Sequence, residues 1–147
     1  MQLTVRRNHR VELASLVFTL NLGFSTASAD VVAVVSAVSP ITALSKTQVV
    51  DIFLGKRTRF PDGTSAVPID QVEGSSVRED FYSKFAAMSP AQLKAFWAKI
   101  IFTGRGQPPS NVASSTELKK LLLANPNAIG YMDQNMVDSS LKVVLAP

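Results

Sequence analysis

Cysteine is absent from the 147-residue chain, and histidine occurs once, at His9. Without thiols there is no disulfide, no thiolate nucleophile and no thiolate metal site. Beyond His9 no imidazole is present to move protons near neutral pH or to ligate a metal. A Ser-His-Asp hydrolase is thereby excluded. The spacing supports neither a serine–lysine pair nor a carboxylate dyad, so the chain reads as a non-enzyme without a cofactor. Asp51, Asp62, Asp70 and Asp133 are scattered along the sequence, which speaks against a metal cage. Long apolar runs are missing as well. Leu13 to Phe24 is broken by Asn21 and Gly23 and falls short of the roughly 20 residues needed to span a bilayer.

That short apolar segment follows a basic head with Arg6, Arg7 and Arg10 and precedes "STASAD", an Ala-x-Ala pattern. Residues 1–29 therefore read as a cleaved export signal, with the cut between Ala29 and Asp30. The expected mature chain, residues 30–147, is a single domain located in the periplasm or secreted, and it does not span a membrane. Removing the signal lowers the formal charge from +4 to +2. So small a charge, with no Lys/Arg run interleaved with aromatics, gives no expectation of nucleic acid as a partner.

What the mature chain does contain is a clear alternation of elements. "VVAVVSAV", Val31 to Val38, is a β-branched run that reads as a buried strand. Ser45 and Gln48 form a capping box ahead of an apolar face of Val49, Ile52 and Phe53, and Gly55 suits the helix stop. A Pro-Asp-Gly turn leads into a strand around Ala66 to Ile69, where Pro68 suggests an edge or irregular position. "SPAQLKAFWAKIIF" is capped by Ser89 with Pro90 at the first helical position. Its Leu93, Phe96, Trp97, Ile100 and Ile101 fall on one stripe. "TGRGQPPSN", Thr103 to Asn111, reads as loop. Ser114 and Glu117 form another capping box, with Leu118, Leu121 and Leu122 inward, and "AIGYMD" and "LKVVLA" read as closing strands. The expected fold is α/β, a small mixed sheet flanked by helices.

The stretch "EGSSVREDF" places Gly74, Ser75 and Ser76 at the start of a helix that continues through Val77 and Arg78. Unpartnered N–H groups at such a turn suit an oxyanion, with two serine hydroxyls and Arg78 able to assist. Against this, Ser76 and Glu79 match a capping box that would consume the same donors. Glu73, Glu79 and Asp80 also repel an anion, each by about 4 kcal/mol at ~4 Å and an effective dielectric near 20. Both readings stand on the residues alone. Lys56, Arg57 and Arg59 form a basic loop, and Arg105 sits between Gly104 and Gly106. Each reads as a solvated turn or as a contact for phosphate or a partner.

Four phrases in order, "LSKTQVVDIFLGKRTRFPDG", "VPIDQVEGSSVREDF", "FWAKIIFTGRG" and "NPNAIGYMD", resemble the periplasmic phosphate-binding proteins of ABC importers. These belong to the type II periplasmic binding protein superfamily, and the chain resembles a short, single-lobe member. The resemblance implies one lobe of that fold and an accessory role in phosphate uptake. It places the family's phosphate-gripping Gly-Ser-Gly-Thr stretch on Gly74, Ser75, Ser76 and Val77, where Ser76 stands for a glycine and Val77 for a hydroxyl donor. An arginine that usually precedes the stretch falls at Gln71, leaving Arg78 as the nearby cation. One lobe supplies half of a binding shell, so a homodimer or an envelope protein partner would complete it. A ligand-free interaction module of the cell envelope is the alternative function. An exposed apolar patch beside "FTGRGQPP" would favour that alternative.

Overall fold

A computed structural model describes residues 29–147 of the chain; the segment read as an export signal lies outside the described residues apart from Ala29. At the centre of the fold is β1, Val31–Ser36, buried along its whole length. Its side chains alternate between two cores. Val31, Ala33 and Val35 face one, and Val32 and Val34 face the other. Burial on both faces explains why the segment is a continuous apolar run, each valine gaining about 1.5–3 kcal/mol relative to exposure.

Four further strands complete a mixed sheet in the order β3-β2-β4-β1-β5. They are β2 (Val67–Gln71), β3 (Ser110–Val112), β4 (Ala128–Asp133) and β5 (Leu141–Leu145). β1 pairs antiparallel with β4 and β5, whereas β2 runs parallel to β3 and β4. Past Ser36 the N–H of Ala37 extends the β1–β5 ladder by one rung to Ser140 O, and the following segment returns to bond β5 through Leu44 N–H to Val144 O, both 2.9 Å. Lys142 reinforces this seam by donating to Ser39 O.

Three helices, α1 (Lys46–Phe53), α2 (Ser76–Phe81) and α3 (Pro90–Phe102), cover one face of the sheet; α4 (Ser115–Ala124) covers the other. The capping boxes Ser45/Gln48 and Ser89/Gln92 both form. α2 passes directly into a π-helical turn, Tyr82–Ala86, which ends at Ala87 with φ 52°. The expected α/β fold, a small mixed sheet between helices, is thus the observed one. No helix among the described residues is long and apolar enough to cross a membrane.

Pro68 sits at a local edge, as expected, although its strand is interior: only β4 flanks it, because β3 joins the ladder at Ile69. The absent N–H therefore falls where one side has no partner. Other local expectations are corrected. The end of the expected loop, Ser110 and Asn111, belongs to β3. Ile101 and Leu121, expected inward, are exposed because the stripes of α3 and α4 centre on Leu93 and Trp97 and on Leu118 and Leu122. Ser114 caps α4 as expected, yet Glu117 reaches back to the N–H of Ala113, one residue earlier than a closed box requires.

Candidate functional site

The carboxyl end of β2 carries a buried acid. Asp70 is 3% exposed and sits among donors: the hydroxyl of Tyr82 at 2.8 Å, the hydroxyl of Tyr131, and the N–H of Gln71 at 2.8 Å. Nε of Arg78 stands 3.4 Å from its Oδ1. Burial, followed by the charge of Asp70 and the bond to it, pushes both tyrosine hydroxyls far above the ordinary phenol range. They remain protonated and serve as donors. A buried carboxylate requires this degree of satisfaction, since an unpaired one costs several kcal/mol.

Gln71 locks the following turn in place. Its amide donates to Tyr131 O at 3.0 Å, and its Oε1 accepts the Ser75 hydroxyl at 2.9 Å. Gly74 supplies the left-handed φ of +87° that brings the chain around to α2. Ser75, not Ser76, is the N-cap, its oxygen accepting the N–H of Arg78 at 3.4 Å. The anticipated Ser76–Glu79 box does not form because the cap lies one residue earlier, and Glu79 is exposed. The N–H groups of Ser76 and Val77 consequently have no acceptor among the described residues.

Gly74, Ser75, Ser76, Val77 and Arg78 therefore share one turn, but their side chains diverge. The Ser75 hydroxyl is committed to Gln71, and Ser76 is exposed. Val77 packs against the core. Arg78 turns away toward Asp70, its guanidinium carbon 5.4 Å from the centre of the Tyr82 ring. Its Nε is buried and makes no hydrogen bond. A cleft of about 320 Å³ opens beside Arg78, with Asp70, Gln71, Glu73, Lys94 and Trp97 among its walls. Glu73 and Lys94 pair across its mouth at 3.7 Å, both largely in solvent. The charges lining the cleft are balanced, which suits a weakly held or polar guest better than a multiply charged one.

Trp97 is core, as its helical spacing implied, yet its ring also lines this cleft, and its Nε1 is buried without an acceptor. Asp70, Tyr82 and Tyr131 were not legible as a unit, since 12 and 61 residues separate the tyrosines from the acid. Of the basic residues, Arg59 donates to Gly63 O at 2.8 Å, whereas Lys56 and Arg105 both line a second cleft. Among the described residues no three His, Cys, Asp or Glu side chains gather as metal ligands would.

By sequence, the chain matches no family model and no curated protein. By structure it has the fold of one lobe of a phosphate-importer binding protein. It superposes on a putative phosphate ABC transporter substrate-binding protein with bound phosphate from Clostridium perfringens, with TM-score 0.62 and 22% identity over 79% of this chain and 44% of that one. An ABC-type phosphate transport receptor from Vibrio cholerae matches with TM-score 0.62 and 21% identity, over 79% and 45% of the two chains. PstS from Borrelia burgdorferi matches with TM-score 0.53 and 14% identity, over 79% and 46%. The chain spans less than half the length of each of these structures.

Proposed function

We propose that the protein is an exported, non-enzymatic lobe that binds phosphate or a similar oxyanion weakly at the Gly74–Arg78 turn and has an accessory role in phosphate uptake. The observation that carries this reading is the pair of unpartnered N–H groups on Ser76 and Val77, beside an arginine whose Nε makes no hydrogen bond. Such donors favour anions at a helix start. The Clostridium perfringens structure, with its bound phosphate, supplies the ligand class. Affinity is expected to be low. Asp70 already balances Arg78, and the Ser75 hydroxyl is spent on Gln71. One lobe also leaves the ligand open to water, so a second copy or another envelope protein would have to close the shell.

Isothermal titration with phosphate and with sulfate tests the reading. Saturable binding in the millimolar range that is lost in Arg78→Ala with an unchanged circular dichroism spectrum supports it, while silence from a folded protein at those concentrations ends it. A second reading, a ligand-free interaction module, is favoured by Phe102 at 92% exposure and Ile101 at 46%, both beside the "TGRGQPP" loop. Two apolar side chains held in water at the end of a helix gain from a covering partner.

A further inference from the structure

The basic residues that the turn at Gly74 leaves unused converge elsewhere. The loop after α1 and the loop after α3 face each other across a cleft of about 580 Å³, with Lys56 on one rim and Arg105 on the other. Phe96, Trp97 and Ile100 contribute to its wall between the rims. Each loop leaves its helix through a left-handed glycine, Gly55 at φ +71° and Gly104 at φ +67°. The benzo edge of Trp97 lies 3.4 Å from where a side chain at Gly55 would begin, so the α1 loop rests directly on the indole.

Cations that follow helix ends often do no more than complement the helix dipole. Here the terminal carbonyls are already taken by main-chain donors. Asp51 O accepts the N–H groups of both Lys56 and Arg57, and Ile100 O accepts that of Arg105. The side chains of Lys56, Arg57 and Arg105 are exposed and take part in no ion pair among the described residues. No carboxylate lines the cleft. The outcome is a positive rim around an apolar floor, two halves brought together from about fifty residues apart in sequence.

We propose that this cleft docks an acidic peptide segment of a partner protein, with an apolar side chain seated against Phe96, Trp97 and Ile100 and flanking carboxylates held by Lys56 and Arg105. Charge complementarity selects the sign of the partner. The concave apolar floor selects a peptide: an inorganic anion would leave it unused, and a flat lipid surface would not reach it. The inference builds on the interaction-module reading and adds the surface and the chemistry of the partner. It does not depend on whether the Gly74–Arg78 turn holds an oxyanion.

Trp97 is the only tryptophan and lines both clefts, so its emission reports on a guest in either, and the rim substitutions assign the response to this one. The probe is the blocked pentapeptide Asp-Glu-Phe-Glu-Asp. Comparisons are the same peptide with alanine at its centre, a version with lysine for each acid, inorganic phosphate, and phosphatidylglycerol vesicles. The acidic phenylalanine peptide is expected to shift the emission saturably, and the alanine and lysine versions to do so far less. The paired substitution Lys56→Glu and Arg105→Glu, both at exposed positions, is expected to weaken binding roughly tenfold or more, with an unchanged circular dichroism spectrum. Peptide binding that survives Lys56→Glu with Arg105→Glu would keep an interaction module but overturn this site. Equal binding of the lysine peptide, or no shift at millimolar peptide, overturns the site too. Binding of vesicles, or of phosphate, that Lys56→Glu with Arg105→Glu abolishes, without peptide binding, assigns the rim to those anions and likewise overturns it.

Discussion

Asp70 is a small hub on which the end of β2, the start of the π-helical turn and β4 all depend, through Arg78, Tyr82 and Tyr131. Replacing it by alanine strands a buried guanidinium and two phenol hydroxyls. We expect Asp70→Ala to destabilise the fold by about 3–5 kcal/mol, the usual consequence of breaking a buried ion pair from one side. Tyr82→Phe, which removes one donor and leaves the pair, should cost about 1.5–3 kcal/mol. Urea unfolding of both variants measures the difference, and equal losses would refute the hub. On the surface, Asp138 accepts from Lys119 and from Ser140, and these bonds, chiefly that from Lys119, hold its pKa down to about 2. A depressed acid stabilises the fold above its unfolded pKa, and this contribution disappears as pH falls through about 2. Lys119→Ala should raise the pKa toward the ordinary value of about 3.9, as a carboxyl-carbon NMR titration would show. An unmoved value would transfer the effect to Ser140.

Among the elements, α4 lies so close to β4 that a side chain at Gly130 would begin 2.5 Å from Cδ1 of Leu118. Leu118 is fully buried and has little room to retreat. Gly130→Ala is therefore expected to destabilise by about 1–3 kcal/mol, measured by thermal or urea unfolding; a neutral result would mean that α4 can shift outward. The π-helical turn closes on Ala87 in the left-handed region, where a non-glycine residue is strained. Ala87→Gly should stabilise by roughly 0.5–1 kcal/mol after allowing for the greater freedom of the unfolded chain. A lower midpoint in urea would rule that out. The elements also show where sequence is informative. The boxes Ser45/Gln48 and Ser89/Gln92 are local, three residues apart, and could be read directly. Two adjacent serines, Ser75 and Ser76, leave the cap ambiguous by one position, and only the bond from Ser75 to Gln71 resolves it. Helical spacing revealed stripes on α3 and α4 without revealing their centres, hence the misplaced Ile101 and Leu121. A three-residue β3 behind Pro108 and Pro109 has too few residues to show a period. The Asp70 hub lies beyond any window, since its partners meet only once the sheet has formed.

For the whole molecule, the two cores share β1 and β4, so neither face of the sheet can melt while the other stays packed. A single cooperative transition follows. The emission of Trp97, which belongs to the core beneath α1 and α3, should change at the same denaturant concentration as the far-ultraviolet circular dichroism of the entire chain. Separated midpoints would show that α4 and its core form an independent unit. The phosphate-binding-protein fold is common to this chain and to structures more than twice the matched length, so the lobe architecture and its function are separable questions.

Sheets with bare margins invite neighbouring molecules to stack onto them and grow into filaments. Here the chain itself lies against one margin, through Leu44 on β5, and is secured by Lys142. The other is three residues long and preceded by two prolines that have no N–H to offer. Such a molecule can accumulate to high concentration without templating fibrils, which leaves its side-chain surfaces, rather than its backbone, to choose its company.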